Sequence, residues 1–260
     1  MQNLLNKIKQ KKELRDLDDD FVKKEIKLFF KSNPKKLKVL EKPKSAKYKE
    51  IVKEIRAKLR RSFGLFRDDK KKRLKLLKQD DFVIKEILKT HPSTKERLAF
   101  YQDLYKKIFA ITGVPKSILD LGSGINPYSY QYMQTEASYL AYDIDKEEVE
   151  HLNQYFKKYN INGRALVKDI SQLSRLPKVD LTLLFKVTDV LDKGKGHKTT
   201  EALLKKIKSK FIVVSFPTLT MSGKKMNFPR RKWIELLCHR LGYTFKSLEF
   251  PGEIFYVIKK

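Results

Sequence analysis

One cysteine, Cys238, stands alone among 260 residues, so neither an internal disulfide nor a multi-cysteine metal site can be built. Long apolar runs are missing too. No stretch approaches the ~20 residues that span a bilayer. The amino terminus, Met1-Gln2-Asn3-Leu4-Leu5-Asn6-Lys7, lacks the hydrophobic segment of a signal peptide. The four histidines, His91, His151, His197 and His239, lie scattered without ligand spacing, which argues against a metal. Acidic residues are scarce beside basic ones, 31 against 59, and the net charge is +28. These shortages lead us to expect a cytoplasmic protein with no membrane span and no metal. Its length suits one large α/β domain plus a smaller appendage.

So basic a chain favours a polyanionic partner, nucleic acid or an anionic membrane surface, though a lysine-rich solubilising surface is the plainer alternative. The charge is concentrated in front. Residues 1–90 hold 30 Lys and Arg against 14 Asp and Glu, a net +16, and residues 91–260 carry +12 over nearly twice the length. Leu4, Leu5 and Ile8, then Phe21, Val22, Ile26, Phe29 and Phe30, recur at helical spacing. Asp18-Asp19-Asp20 is a start signal for the second helix, and Ser32-Asn33-Pro34 ends it. The lysine-rich stretch from Lys35 to Lys49, with Pro43 inside it, reads as a linker or exposed basic loop. Ile51, Val52, Ile55 and Leu59 predict a helix from Tyr48 to about Arg61. Ser62-Phe63-Gly64-Leu65-Phe66 interrupts it, and another helix is expected from Phe82 to Thr90. No strand-like alternation appears, so 1–90 reads as a small basic helical domain that holds RNA phosphates.

Residues 91–260 are organised differently. Ser93 and Glu96 form an S-x-x-E capping box, and one helix is predicted from there to Gly113. Ser117 to Leu121 is a compact apolar strand that breaks at Gly122 and Gly124, where the backbone can pass close to a ligand. Asn126 can cap a following helix, with Pro127 at its first position. Further strands are expected at Tyr139–Asp143, Arg164–Lys168, Val179–Phe185 and Phe211–Phe216, and helices at Glu147–Tyr159, Thr200–Lys208 and Arg230–Leu241. Lys193-Gly194-Lys195-Gly196-His197 and Pro217 to Lys225 read as loops. Tyr243–Phe250 and Ile254–Lys259 are joined so briefly that they must form an antiparallel hairpin. Asp143 ends the second strand roughly 20 residues beyond the glycines, where an acid accepts hydrogen bonds from a ribose diol. Asp145 with Glu148 makes an N-cap pair, and Asp169 closes the third strand. This order resembles the class I S-adenosylmethionine-dependent methyltransferases. The resemblance implies a Rossmann-like α/β fold with a seven-stranded, mostly parallel sheet, preceded here by the helical domain.

A closer resemblance rests on six segments taken together. They are His91-Pro92-Ser93-Thr94-Lys95-Glu96-Arg97-Leu98, Ile118 to Pro127, Ala141-Tyr142-Asp143-Ile144-Asp145, Leu183-Leu184-Phe185-Lys186, Val214-Ser215-Phe216-Pro217 with Ser222-Gly223-Lys224, and Gly252 to Ile258. In this order, behind a basic helical domain, they resemble the aminoglycoside-resistance 16S rRNA methyltransferases of the Arm/Rmt type. The resemblance implies methylation of guanine N7 at the decoding site of the small ribosomal subunit, with S-adenosyl-L-methionine as cofactor. It implies that Arg97 holds the methionine carboxylate and that Gly122 and Gly124, with Ser123 between them, hold the methionine backbone. Asp143 would bind the ribose, and Asp169 the adenine beside Ile144 and Ile170. Phe185 would border the cofactor, and Lys186 would lie beside the transferring methyl and the target base.

The absent motifs agree. Guanine N7 carries an exposed lone pair and no proton, so attack on a sulfonium methyl needs positioning but no general base. Phe185-Lys186-Val187-Thr188 stands where enzymes acting on exocyclic base amines carry [Asp/Asn]-Pro-Pro-aromatic. Cys238, in a late helix, reads as a core thiol and not a nucleophile. A base inside folded rRNA would have to be flipped or presented to the pocket. Two other readings stay open. One is methylation elsewhere, on tRNA, another rRNA base or a ribose 2′-hydroxyl. The other is a non-catalytic RNA-binding assembly factor. Lys224, Lys225, Arg230 and Arg231 are candidate phosphate contacts, or simply a solvated basic loop.

Overall fold

The computed structural model describes residues 1–62, 69–79, 83–192, 196–220 and 223–260. Parts of several expected features lie outside these residues: the break at Phe63 to Phe66, Phe82, Lys193 to Lys195, and Met221-Ser222. The front of the chain is helical, with α1 at Gln2–Lys9, α2 at Asp19–Ser32, α3 at Ala46–Ser62, α4 at Lys70–Leu77 and α5 at Ile84–Leu88. Then come α6 (Pro92–Arg97), α7 (Tyr101–Thr112), β1 (Ser117–Leu121), β2 (Ser138–Asp143), α8 (Lys146–Lys158), β3 (Gly163–Val167) and β4 (Leu181–Phe185). The rest is α9 (Thr188–Asp192), α10 (Lys198–Lys206), β5 (Phe211–Pro217), α11 (Lys232–Arg240), β6 (Thr244–Phe250) and β7 (Glu253–Lys259).

The seven strands form one sheet in the order β3-β2-β1-β4-β5-β7-β6. All pairings from β3 to β5 are parallel, and β7 runs antiparallel to both β5 and β6. Parallel strands covered on both faces must be apolar on both, and β4 is buried at every residue. Side chains alternate across the sheet. Ile118, Leu183 and Val213 enter one core with α7 and α8, and Leu119, Leu184 and Val214 enter the other with α10 and α11. The edge strand β6 instead exposes Lys246 and Glu249, charges that discourage pairing with another sheet. The strand order reverses between β1 and β4, and in such sheets a ligand crevice opens at that switch, beyond the strands' carboxyl ends.

The front helices build a separate small core from Leu4, Ile8, Val22, Ile26, Val52, Ile55 and their neighbours. Asp18 caps α2 by accepting from the Asp20 and Phe21 amides, as its acidic run suggested. Ile84, Ile87 and Leu88 of α5 pack instead into the core of the α/β part. Backbone bonds weld the two parts together: Asp18 N–H to Ile144 O at 2.9 Å, and Lys146 N–H to Asp16 O at 3.0 Å. Beside them, buried Arg73 of α4 pairs with Glu148 at 2.8 Å and reaches the Thr90 hydroxyl at 3.0 Å.

Four local expectations are corrected. His91, not Ser93, caps α6, its Nδ1 accepting from the Ser93 amide at 3.3 Å, while Glu96 points to a tertiary partner. The predicted single helix is two, α6 and α7, separated by Leu98 to Phe100. Asn126-Pro127 opens a 3₁₀ helix, Asn126–Met133, whose cap position is Ile125. The Asn126 side chain turns inward, donating to Asp120 at 2.9 Å and accepting from Tyr101 at 3.1 Å. Those buried partners outcompete the capping role. The lysine-rich stretch is also more ordered than a linker, since Pro34–Glu41 is 3₁₀ helix.

Candidate active site

The loop after β1 is pinned to the end of β2. The amides of Gly122 and Ser123 donate to Tyr142 O at 2.8 and 3.1 Å, and the Gly124 amide donates to the Asp143 carboxylate at 2.8 Å. Gly122 has φ +70°, and a Cβ there would sit 2.6 Å from Val187 Cγ2, so only glycine fits. At Gly124, φ is +50° and nothing lies within 4 Å of the Cβ position. Between them the buried Ser123 hydroxyl has no hydrogen-bond partner.

Both strand-end acids are held from below. Asp143 accepts the Ile144 and Asp145 amides at 2.7 and 3.0 Å through one oxygen and Gly124 through the other. Burial outweighs those bonds and pushes its carboxyl up to about 6. Asp169 is only half-buried, and although that partial burial raises it, hydrogen bonds from Ser171, Gln172 and Lys24 hold it below the ordinary carboxylate value. The Lys24 ammonium, on α2, sits 2.9 Å from it.

Glu253, the first residue of β7, joins the remaining groups. Arg97 Nε and Nη2 donate to its two oxygens at 2.9 and 2.7 Å, a bidentate pair with both side chains almost fully buried. Ser215 Oγ bonds the same carboxylate at 2.5 Å, and Lys186 Nζ lies 3.3 Å from it and 2.7 Å from Glu96. Burial alone would lower the Arg97 pKa, but Glu253 more than offsets that and raises it. The Arg97 guanidinium also lies over the Phe185 ring at 4.8 Å, and its Nη1 has a 3.5 Å contact with Asn126. Lys186 occupies the left-handed region, φ +54°, where its amide donates to the Ser215 hydroxyl at 3.0 Å and to the Ser215 carbonyl at 3.2 Å. Such backbone strain in a non-glycine residue persists only where the surroundings fix it. His91, nearby, is driven down to about 3 by burial and by Arg73, Arg97 and Lys186, so its imidazole is neutral at pH 7.

All these groups converge. A cavity of about 540 Å³ is lined by Arg97, Gly122, Ser123, Gly124, Asp143, Ile144, Asp169, Ile170, Phe185 and Lys186, all ten cofactor-site and catalytic candidates drawn from the sequence. That volume is within the usual range for a small-molecule site. The basic loop is set apart from it. Arg231 spends its guanidinium on the carbonyls of Pro217, Phe228 and Pro229, and Arg230 pairs with Glu235, while Lys224 and Lys225 are exposed. Among the described residues no group of three or more His, Cys, Asp or Glu could hold a metal, and no helix is long and apolar enough to cross a membrane.

A family model described as ribosomal RNA methyltransferase (FmrO) matches residues 80–257. The chain belongs to that family. It is similar to the 16S rRNA (guanine(1405)-N(7))-methyltransferase of Proteus mirabilis, 28% identical over 240 residues that cover 82% of this chain and 85% of that one. The solved 16S rRNA methyltransferase RmtF, in complex with S-adenosyl-L-homocysteine, superimposes with a TM-score of 0.79 at 24% identity, over 100% of this chain and 97% of its own. The 16S rRNA methylase ArmA gives 0.60 at 27% identity, over 72% of this chain and 97% of its own. The fold expected from the strand order is therefore the fold found, helical front included.

For an rRNA methyltransferase, two residues that organise this site, Glu253 beneath Arg97 and Lys24 beside Asp169, were not singled out from the sequence. Glu253 had one signal, an acid opening an otherwise apolar strand. Lys24 had none, since one lysine among many on an amphipathic helix reads as solvated surface.

Proposed function

We propose that this enzyme binds S-adenosyl-L-methionine in the cavity at the β1/β4 switch and methylates N7 of a guanine in small-subunit 16S rRNA. The observation that carries the reading is the convergence of the glycine loop, both strand-end acids, Arg97 and Lys186 on one cavity. The cavity suits the cofactor chemically. Ser123 offers an unpartnered hydroxyl, Gly124 leaves open space, and Asp143 presents a carboxylate at the end of β2, about 20 residues beyond the glycines. When bound, the cofactor supplies an electrophilic sulfonium methyl. Asp143 would hold the ribose and Asp169, between Ile144 and Ile170, the adenine. Arg97 Nη1, the part of the guanidinium not committed to Glu253, would meet the methionine carboxylate.

The reacting end favours a nucleophile with no proton to lose. The carboxylates nearest Lys186 are Glu96 and Glu253, and both are already engaged by cations. Neither stands free as a general base, and guanine N7 asks for none. Lys186, fixed by its strained backbone, would orient the base against the methyl. Parallel incubations of purified small subunits and of bulk tRNA with methyl-tritiated S-adenosylmethionine test the reading: label is expected in 16S rRNA and not in tRNA. Label in tRNA alone would move the substrate elsewhere.

We assign residues 1–90 to RNA binding, with α5 at its end packed into the α/β core, and residues 91–260 as the methyltransferase domain. Lys35, Lys38, Lys42, Lys44, Lys47 and Lys49 are exposed, and none lines the cavity. Changing Lys38, Lys42, Lys44 and Lys47 to glutamate should weaken binding to small subunits and flatten its salt dependence, by roughly 0.7–0.9 in log–log slope for each phosphate no longer neutralised. Filter binding across a salt series reads the slope. S-adenosylhomocysteine affinity by calorimetry should stay unchanged.

A further inference from the structure

In open α/β sheets the ligand crevice lies beyond the carboxyl ends of the strands, where the strand-end loops meet. Here one wall comes from another domain. Phe21, Lys24, Glu25 and Leu28, on the front helix α2, line the same cavity as Asp143 and Asp169. Lys24 Nζ donates to Asp169 Oδ2 at 2.9 Å and also bonds Ser171 Oγ, so both partners lie at the end of β3. The pair is largely shielded, with side-chain exposures of 29% and 10%, and so is less screened than a surface ion pair. The start of α2 is tied to the residues that directly follow the other strand-end acid, Asp143. Leu17 bridges to Asp145, Asp18 N–H donates to Ile144 O, and the Ile144 side chain packs against the helical core while also lining the cavity.

We infer that α2 of the helical domain is a structural part of the cofactor site, with Lys24 as a positioning residue acting through Asp169. Cofactor binding and docking of the helical domain are then one linked equilibrium. A ligand contacting Asp143, Ile144 and Asp169 can bind tightly only when α2 is seated, and by reciprocity it clamps α2 in place. The domain assigned to RNA thereby reports its position to the cofactor. The inference rests on the cofactor reading above.

Hydrogen exchange of the wild-type protein with and without S-adenosylhomocysteine tests it, together with calorimetry on wild type, Lys24→Met and Lys24→Arg. The ligand is expected to slow exchange over residues 16–28 as well as 143–146. Kd should rise about tenfold in Lys24→Met and return close to wild type in Lys24→Arg, which keeps the charge. Protection at 143–146 without any at 16–28, or equal Kd in wild type and Lys24→Met, would overturn the inference and leave the cofactor reading intact. No binding to wild type would overturn both. Should Lys24→Met fail to fold, exchange in the wild type still decides.

Discussion

Glu253→Ala is expected to cost about 3–5 kcal/mol of folding stability, because it leaves Arg97 charged and buried without its counter-ion. The pair is almost fully buried and bidentate, so little water can replace the missing carboxylate. Lys186 and Ser215 are deprived of a partner in the same step. For a chain of this size the loss corresponds to a fall in Tm of roughly 6–20 °C. Urea unfolding followed by circular dichroism measures it. Arg97→Met combined with Glu253→Ala should lose less than the sum of the single variants, since the second change removes the stranded charge. Strict additivity would mean that the two groups do not depend on each other.

Asp143→Ala should weaken S-adenosylhomocysteine binding by about 1–3 kcal/mol, the cost of leaving two ribose hydroxyls unpaired in a buried site. The effect should follow pH. The Asp143 carboxyl is pushed from an ordinary 3.8 up to about 6, chiefly by burial. A folded-state value above the unfolded one means that its stabilising contribution is complete below about pH 4 and lost as pH rises through 6. At pH 7 the fold therefore carries the cost of a buried ionised acid, and ribose hydroxyls donating to that carboxylate would offset it. Affinity should accordingly be highest above pH 7 and fall as pH drops through 6, when Asp143 takes up a proton. Calorimetry from pH 5 to 8 should show this slope in wild type and a flat profile in Asp143→Asn. Asp120, also raised to about 6, lies outside the cavity in bonds to Tyr139 and Asn126 and should not add to the slope. Equal affinity at pH 5.5 and 7.5 would place the ribose away from Asp143.

What was legible in the sequence was what local rules encode. The buried parallel strands announced themselves as apolar runs, and the acids at their ends fell where the chain must turn toward the crevice. Gly122 and Gly124 could be read because a tight turn under a ligand admits few other residues. The misread caps have one physical source. Ser93, Glu96 and Asn126 fit capping patterns, but each capping bond competes with tertiary partners. Those partners prevail, Lys186 for Glu96, and Asp120 and Tyr101 for Asn126. The cavity's bonds join residues far apart in the chain, Arg97 with Glu253 and Lys24 with Asp169, and no periodicity marks such pairs. Hence the glycine loop was visible in sequence, while the β7 carboxylate that holds Arg97 and the cavity wall from α2 were not.

The central claim is that the methyl goes to a guanine N7 in 16S rRNA. An N7-methylated guanine carries a positive ring that borohydride reduces, after which aniline cleaves the strand. Purified small subunits treated with the enzyme and S-adenosylmethionine should therefore yield rRNA that breaks at a single decoding-site guanine, mapped by primer extension, and Lys186→Ala should reduce that break. Methyl label in 16S rRNA with no aniline-dependent break would contradict the account.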